Sequence, residues 1–486
     1  MNNENDKSGV NGGLIKALLF FCGFIMIISI IFITWFFDNR NGFNRYFADN
    51  YINFLFLAGT VFIICLTTFF YLVFEHKKLI SRHKNIILLF AIMCVTIIAC
   101  YTAGKLSLYA RPVFLCGMLS LLLLNRRCAF FINFVMCLII FFMDIFAFGV
   151  SVNTAYQPLI IGFSSGITAI IVLSGERNRL RVFLSGFIIA VPVIMGIVFS
   201  EAMTNGIIIG ELGMLVFYGI TSSFLSVVLF SALLPVFEIV FNIITNYRLM
   251  EITNHDSELI KRLRIEAMGT FNHSLMLASL SEACAIEIGE NPLLARACAY
   301  YHDIGKLKNP EFFRENQMLE NPHDELSPEL SVQIIRQHTA EGAALLKKHR
   351  FPIEIIDSTR EHHGTMLIKF FYAKALKMTD GTINASNFTY LGPKPKSKTT
   401  AIIMLADAAE ALMRVITDRS HENIDRLVKE LIEERIDERQ FTDCDISIKE
   451  LYQIKDVLVD NIAGMYHNRI EYPTIVKKNK KEKKSA

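Results

Sequence analysis

The sequence predicts an all-α protein in two parts, a polytopic helical membrane domain followed by a soluble all-α domain. Three observations predict it. The 486 residues are 52% hydrophobic and only 20% charged, with a mean hydropathy of +0.39, too apolar a balance for a soluble protein of this size. Apolar runs of about 20 residues, the length that crosses a bilayer, recur as far as residue 245. From about Asn246 mixed charge and helical apolar periodicity take over, and neither part shows a strand-rich segment or an internal repeat.

Residues 1–13 are polar and expected to be disordered. Within residues 14–245 eight spans are expected: Leu14–Phe37, Tyr51–Phe74, Ile86–Ala103, Leu106–Leu124, Cys128–Gly149, Ala155–Leu173, Val182–Phe199 and Leu212–Leu234. The first has no small-residue cleavage site before Asp38 and reads as an uncleaved anchor. Loop charges alternate. Lys77, Lys78, Arg82 and Lys84 follow the second span, Arg126 and Arg127 the fourth, Arg177, Arg179 and Arg181 the sixth, and Arg248 and Lys261 the eighth. The loops after the third, fifth and seventh carry only Lys105, with Arg40 and Arg45 after the first as the exception. Positive charge stays inside, so both termini are expected in the cytoplasm, which requires an even number of crossings. Arg111, Asp144 and Glu211 are expensive inside spans and share a depth near the outer ends. They are expected to form an ion pair between neighbouring helices, with a small polar pocket open to the outside as the alternative.

Ten cysteines include no C-x-x-C pair, which excludes a thiolate zinc site and a disulfide framework and suits a reducing cytosol. A formal net charge of +3 gives no global case for nucleic-acid binding. The basic tail, residues 474–486, reads as a solvated, disordered end able to touch anionic lipid.

In the soluble part Thr270 is placed to cap a helix running towards Gly289, with His273 on the same face as Leu277, Leu280 and Cys284. Asn291-Pro292 opens the next helix as cap and first residue. That helix ends in His302-Asp303, with Gly305 read as its left-handed terminus. Ser327-Pro328 opens a third, on which Leu330, Ile334 and His338 recur at four-residue spacing. Pro352 opens a fourth, ending in Glu361-His362-His363-Gly364. In a later helix, Thr400–Ile416, Asp407 shares a face with Ile403 and Ala411. His273, His302, Asp303, His338, His362, His363 and Asp407 thus lie inward or at helix ends. Burying so many ionisable groups costs on the order of several kcal/mol each unless they pair or bind metal. Nitrogen and oxygen ligands without thiolate suit Mn, Fe or Zn; one carboxylate can bridge two ions, and Lys306 adds a positive group at the rim. No Walker loop is present, so the chemistry implied is hydrolysis at phosphorus. His323-Asp324, flanked by Pro322, is expected at the surface, as are His255, His349, His421 and His467.

On these residues the chain resembles the HD phosphohydrolase superfamily. More narrowly it resembles the seven-transmembrane receptors with an intracellular HD domain, the PgpH-type cyclic di-AMP phosphodiesterases. Longer strings carry the likeness: Tyr300–Lys306, Glu315–Met318 with Glu320–Asp324, Gly342–Arg350, Glu361–Thr365, Gly392–Pro395 and Arg469–Pro473. It is close over residues 235–473 and loose over the spans. The resemblance implies a metal-dependent HD phosphohydrolase domain over residues 246–473, with two divalent metal ions, Fe or Mn, that opens cyclic di-AMP to linear pApA. His273, His302, Asp303 and Asp407 would hold one ion, and Asp303, His338, His362 and His363 the other. It further implies a bacterial inner (cytoplasmic) membrane protein with the HD domain in the cytosol. Its partners would be a cyclic dinucleotide and the lipid bilayer, not nucleic acid, with a homo-oligomer left open. Two departures stand out. Only Asp38–Asn50 separates the first two spans, where the family carries a large extracellular domain. Met268-Gly-Thr-Phe-Asn-His273 replaces Pro-Gly-Thr-Tyr-His-His, and by spacing to Asp303 the retained His273 is the ligand. The rivals are an HD hydrolase of another nucleotide, such as a guanosine polyphosphate, and a membrane receptor that binds a nucleotide without cutting it. The intact ligand set argues against the second, and the absence of broken-helix pairing against a transporter.

Overall fold

Backbone in hydrocarbon must satisfy its own hydrogen bonds, which favours long helices. The computed structural model describes residues 4–175, 179–204, 209–317, 321–378 and 383–465. Among these residues there is no strand; one isolated bridge joins Leu367 to Thr389. The chain divides into two compact units, Met1–Tyr247 and Arg248–Ala486.

The first unit contains α1 (Glu4–Asn39), α2 (Phe43–Glu75), α3 (His83–Gly104), α4 (Leu115–Leu123), α5 (Arg126–Phe146), α6 (Val152–Leu173), α7 (Arg179–Thr204) and α8 (Ile209–Phe241). Residues 4–13, expected to be disordered, are the start of α1: a helix already nucleated by the span extends at little cost. The basic tail and Arg469–Pro473 lie outside the described residues.

Among the described residues seven helices, not eight, are long and apolar enough to cross a membrane. The exception is the expected fourth span. Pro112 holds the preceding Arg111 extended (φ −72°, ψ 127°), and only the nine residues of α4 are α-helical beyond it. At 1.5 Å per residue they rise about 14 Å, half a hydrocarbon core. The segment nevertheless passes along the whole of α5. Its start is fixed where the Arg111 guanidinium meets Asp144, in the last turn of α5. Its end is fixed at Asn125, whose side chain accepts from Cys128 N and caps the start of α5. Residues 110–121 are all buried, the condition under which irregular backbone is tolerated at membrane depth. A crossing interrupted in this way would keep the number of passages even. At the other end of the unit Lys84 Nζ donates to the carbonyls of Phe241 (3.2 Å) and Asn242 (3.1 Å). The C-terminus of α8 therefore closes beside the basic loop that precedes α3.

Of the three span charges, two pair. Arg111 Nη1 lies 2.6 Å from each oxygen of Asp144, and the two residues are 8% and 0% exposed. Gly104 makes room, since a Cβ there would sit 2.5 Å from Arg111 Nε. Glu211 is exposed in the first turn of α8, where a helix N-terminus favours a carboxylate.

The second unit contains α9 (Asn246–Ile252, straddling the boundary), α10 (Glu258–Glu266), α11 (Met268–Glu287), α12 (Pro292–Tyr301), α13 (Pro328–Lys348), α14 (Ile353–Glu361), α15 (Lys369–Met378), α16 (Lys398–Val415), α17 (His421–Asp437) and α18 (Ile448–Met465). Asn291 caps α12 through Leu293 N and Leu294 N, Ser327 caps α13 and Ser397 caps α16. Thr270 does not cap α11, which begins two residues earlier; its hydroxyl donates to Glu315 Oε1 at 3.0 Å instead.

If the Arg111–Asp144 pair holds the interrupted crossing to α5, Arg111→Ala leaves a buried carboxylate unpaired. It should cost about 3–5 kcal/mol and lower the melting temperature of the protein in detergent. Arg111→Met with Asp144→Leu should recover most of that loss, whereas additive losses would show that the two charges are not coupled.

Candidate metal centre

The site forms where the ends of α12 and α14 meet one turn of α13 and one face each of α11 and α16. His302 follows the last residue of α12 as its cap, and Asp303 comes next. Gly305 is required here for a reason other than the left-handed turn expected of it. A Cβ at Gly305 would stand 1.9 Å from the carbonyl oxygen of His338, so only glycine lets the α12 terminus pack directly on the α13 backbone. Gly364, after the second dyad, does take a positive φ of 50°.

Three histidines are set by the same device. His302 Nδ1–H donates to Ala299 O (2.8 Å), His338 Nδ1–H to Ile335 O (2.6 Å) and His362 Nδ1–H to Thr359 O (2.9 Å). Each bond runs back three residues and fixes the tautomer, so each Nε2 presents a bare lone pair to the interior. His273 is oriented through the same nitrogen but by a side chain: Nδ1 lies 2.9 Å from Glu410 Oε2, and Nε2 is 3.1 Å from Asp407 Oδ1.

The lone pairs converge around Asp303. Its Oδ1 faces His338 Nε2 (3.2 Å) and His362 Nε2 (3.7 Å), while Oδ2 faces His302 Nε2 (3.1 Å) and His273 Nε2 (3.9 Å). Nε2 of His338 lies 3.4 Å from Nε2 of His362, and Nε2 of His273 lies 3.3 Å from that of His302. Asp303 Oδ1 and His363 Nδ1 are buried with no hydrogen-bond partner. Facing acceptors and orphaned buried atoms are what ligands look like around a cation, and the donor chemistry fits a divalent metal. Two groups have the spacing to hold one: Asp303, His338, His362 and His363, and His273, His302 and Asp407. All seven residues proposed from sequence therefore come together.

Around this core Lys306, expected at the rim, meets residues the sequence reading did not weigh. Lys306 Nζ bridges Asp303 Oδ2 and Glu315 Oε1 at 2.7 Å each. Glu410 holds both His273 and Arg414 Nε, the latter at 2.7 Å. Tyr390 stacks on His363 with ring centroids 4.2 Å apart. Glu410 had a readable signal, one helical turn beyond Asp407; Glu315 and Tyr390 come from distant loops and had none. His323 corrects the surface expectation. Asn321 caps the tight turn at Pro322–Asp324. That turn folds the imidazole inward, 4% exposed, where it packs against Phe371 and donates through Nε2 to Phe312 O at 2.9 Å.

The electrostatics follow from burial and neighbours. Burial would raise Asp303, but His302, when its Nε2 carries a proton in the metal-free site, and Lys306 hold it well below the usual carboxylate range. Against the opposing effect of burial, Asp303 and Glu315 raise Lys306, which is therefore a permanent ammonium. Burial also disfavours the charged form of His273, yet its bonds to Asp407 and Glu410 raise it to about 10. Burial lowers His362 to about 4, and burial together with His362 holds His363 well below its ordinary value.

Comparison with known proteins agrees with this arrangement. Residues 51–245 match the family described as 7TM receptor with intracellular HD hydrolase, and residues 270–412 match the HD domain. The chain is 38% identical over 421 residues to the cyclic-di-AMP phosphodiesterase PgpH of Bacillus subtilis, covering 84% of this chain and 58% of that protein. It is 39% identical over 311 residues to PgpH of Listeria monocytogenes, covering 64% of this chain and 43% of that one. A crystal structure of the L. monocytogenes PgpH HD domain in complex with cyclic-di-AMP is 45% identical, with 44% of this chain and 99% of that chain covered and a TM-score of 0.42. This chain thus spans less than two thirds of the length of either curated relative.

Without metal, the two shifted histidines bend stability in opposite directions. His273 is raised above its ordinary 6.5, so its contribution is complete below pH 6.5 and is lost as pH rises towards 10. His362 is lowered from 6.5, so its contribution is present above pH 6.5 and is lost as pH falls towards 4. Chelator-treated protein should melt highest near pH 6.5 in a thermal scan. His273→Gln should flatten the alkaline arm and His362→Gln the acid arm; arms unchanged in both variants would contradict the assignment.

Proposed function

This chain is a membrane-bound HD-domain protein related to the PgpH phosphodiesterases, and from that premise we propose that it is a metal-dependent phosphodiesterase hydrolysing cyclic di-AMP to linear pApA. The observation that carries the reading is the Asp303 carboxylate, whose two oxygens face two separate groups of histidines. Two divalent ions, Fe or Mn, fit these positions. Asp303 would be shared between them; His273, His302 and Asp407 would complete one site, and His338, His362 and His363 the other. When bound, such a pair supplies Lewis acidity to the phosphoryl group and to the attacking water.

The chain's own residues supply the rest. Water adds to phosphorus, the bond from phosphorus to the ribose 3′ oxygen breaks, and a proton from the water ends on that hydroxyl. Lys306, held ionised between Asp303 and Glu315, places a fixed positive charge beside the phosphoryl oxygens. Two cavities flank it, of about 700 Å³ and about 450 Å³, and both are lined by Lys306, Arg314 and Glu315. The larger adds Phe312, Phe313 and Tyr390, aromatic surfaces suited to a purine. The smaller adds Arg414, suited to a phosphate. A two-lobed cleft centred on the metal ligands suits a dinucleotide. The alternating loop charges support a domain on the cytosolic side, and the reading puts it at a bacterial inner (cytoplasmic) membrane.

The test uses the full-length protein in detergent, with metal content by elemental analysis and nucleotide products by chromatography. The Mn-loaded protein should convert cyclic di-AMP to pApA. Asp303→Ala removes a ligand from both sites and should bind substantially less metal and show no turnover. His362→Ala should keep roughly one ion and lose most activity. Lys306→Ala should keep both ions and turn over on the order of 10–1,000-fold more slowly. Full occupancy and activity in Asp303→Ala would end the proposal, and a metal-loaded protein that binds but never cleaves would leave a receptor.

A further inference from the structure

Glu410 is buried beside the ligand cluster but belongs to neither of its two groups. It lies three residues beyond Asp407 on α16, a spacing that puts both carboxylates on one face of the helix. Between them they grip a single imidazole. Asp407 Oδ1 is 3.1 Å from Nε2 of His273, and Glu410 Oε2 is 2.9 Å from its Nδ1. His273 thereby differs from its three oriented neighbours. His302, His338 and His362 each spend Nδ1–H on a backbone carbonyl three residues back, whereas His273 Nδ1 faces a carboxylate brought by another helix.

A carboxylate behind an imidazole fixes its tautomer and raises its basicity, which makes the opposite nitrogen a stronger ligand. Glu410 is itself held, since Arg414 Nε donates to its other oxygen at 2.7 Å. That guanidinium does not cancel the effect at His273. The arginine side chain is 42% exposed against 2% for the glutamate, so solvent screens the cation more than the buried carboxylate. The two ligand groups also differ in charge. His273 and His302 are joined by Asp407, whereas His338, His362 and His363 have Asp303 alone. Lys306 leans on the Asp303 oxygen that faces His302, but Glu315 balances it at the same 2.7 Å. A divalent cation therefore meets more negative charge and a stronger imidazole on the His273 side.

We propose that Glu410 is a positioning residue that makes the His273 position the tighter of the two, so that the positions fill in order and the His338 position is the exchangeable one. The inference rests on the two-ion reading above and adds a residue that acts through His273.

Full-length protein in detergent, stripped with chelator, is dialysed to equilibrium against graded free Mn²⁺, and bound metal is counted by elemental analysis. The wild type should fill in two separate steps. Glu410→Ala should raise the half-saturating Mn²⁺ of the tighter step about 10–100-fold. Glu410→Gln keeps the shape and removes the charge; it should move the same step in the same direction, and it carries the test if Glu410→Ala does not fold. Single-position backgrounds assign the steps. With His362→Ala, which leaves the His273 position, the Glu410 change should weaken the remaining step by the same factor. With His273→Ala, which leaves the His338 position, it should move nothing, a result that a merely structural role for Glu410 would not give. A single step in the wild type, no shift in the His362→Ala background, or equal weakening in both backgrounds would overturn the proposal while leaving the two ions in place. A wild-type protein that binds no Mn²⁺ would overturn the two-ion reading along with it. None of these readouts is turnover.

Discussion

The constraint on which the second unit depends is the placement of one buried carboxylate. Asp303 is 2% exposed and negatively charged, and a charge in that position costs several kcal/mol on the order given by effective desolvation penalties unless it is surrounded by partners. Here the partners come from five different elements, so the packing of each is tied to the others. Gly305 lets the α12 terminus approach α13 to backbone contact, bringing His338 to one oxygen. Thr359, whose hydroxyl donates to Tyr301 O at 3.2 Å, locks α14 against the same terminus and so sets His362. Lys306 and Glu315 close the open side. The fold is arranged so that a cluster of acceptors can be assembled and kept.

Much of this was legible in the sequence, because the relevant signals are local. Asn291-Pro292 and Ser327-Pro328 mark helix starts through capping chemistry that needs no tertiary context, and both cap as expected. The paired dyads at His302-Asp303 and His362-His363 are visible because each is followed within two residues by glycine. What the glycines do was not legible. Gly364 is a left-handed terminus, whereas Gly305 is a close-approach position, and only the neighbour across the interface distinguishes the two. The same limit hides Glu315, Tyr390 and the inward turn of His323, each fixed by partners far away in sequence.

In the membrane unit the sequence failed in a different way. A hydropathy window measures whether a stretch is apolar enough to be buried, not whether its backbone is continuous. Residues 106–124 are largely apolar, buried from 110 to 121, and they do run the length of α5, yet Pro112 splits them into an extended entry and a short helix. The proline was in plain sight; its weight depended on Arg111 having Asp144 to bind, since an extended arginine without that partner has no reason to stay inside. Window averaging also passed over Glu201, which closes an otherwise apolar helix, while drawing attention to Glu211, which is exposed.

The buried polar groups at Arg111 and at Asp303 can be sorted by counting donors against acceptors. Arg111 and Asp144 cancel in charge, a guanidinium against a carboxylate with both oxygens satisfied and the Arg111 Nε donor left over; the role of the pair is to hold two segments together. Around Asp303 the count is lopsided. The Nε2 atoms of His302, His338 and His362 are all acceptors, because their other nitrogens have spent their protons on backbone carbonyls, and a carboxylate oxygen and an imidazole nitrogen remain unpartnered. Protonation relieves part of this, as the raised His273 shows, but it cannot relieve His362 and His363, which burial keeps neutral. A multivalent cation relieves all of it at once, which is why the second unit is best understood as a scaffold for metal. The sign and size of the imbalance, more than the identity of any single residue, separate what holds this protein together from what it binds.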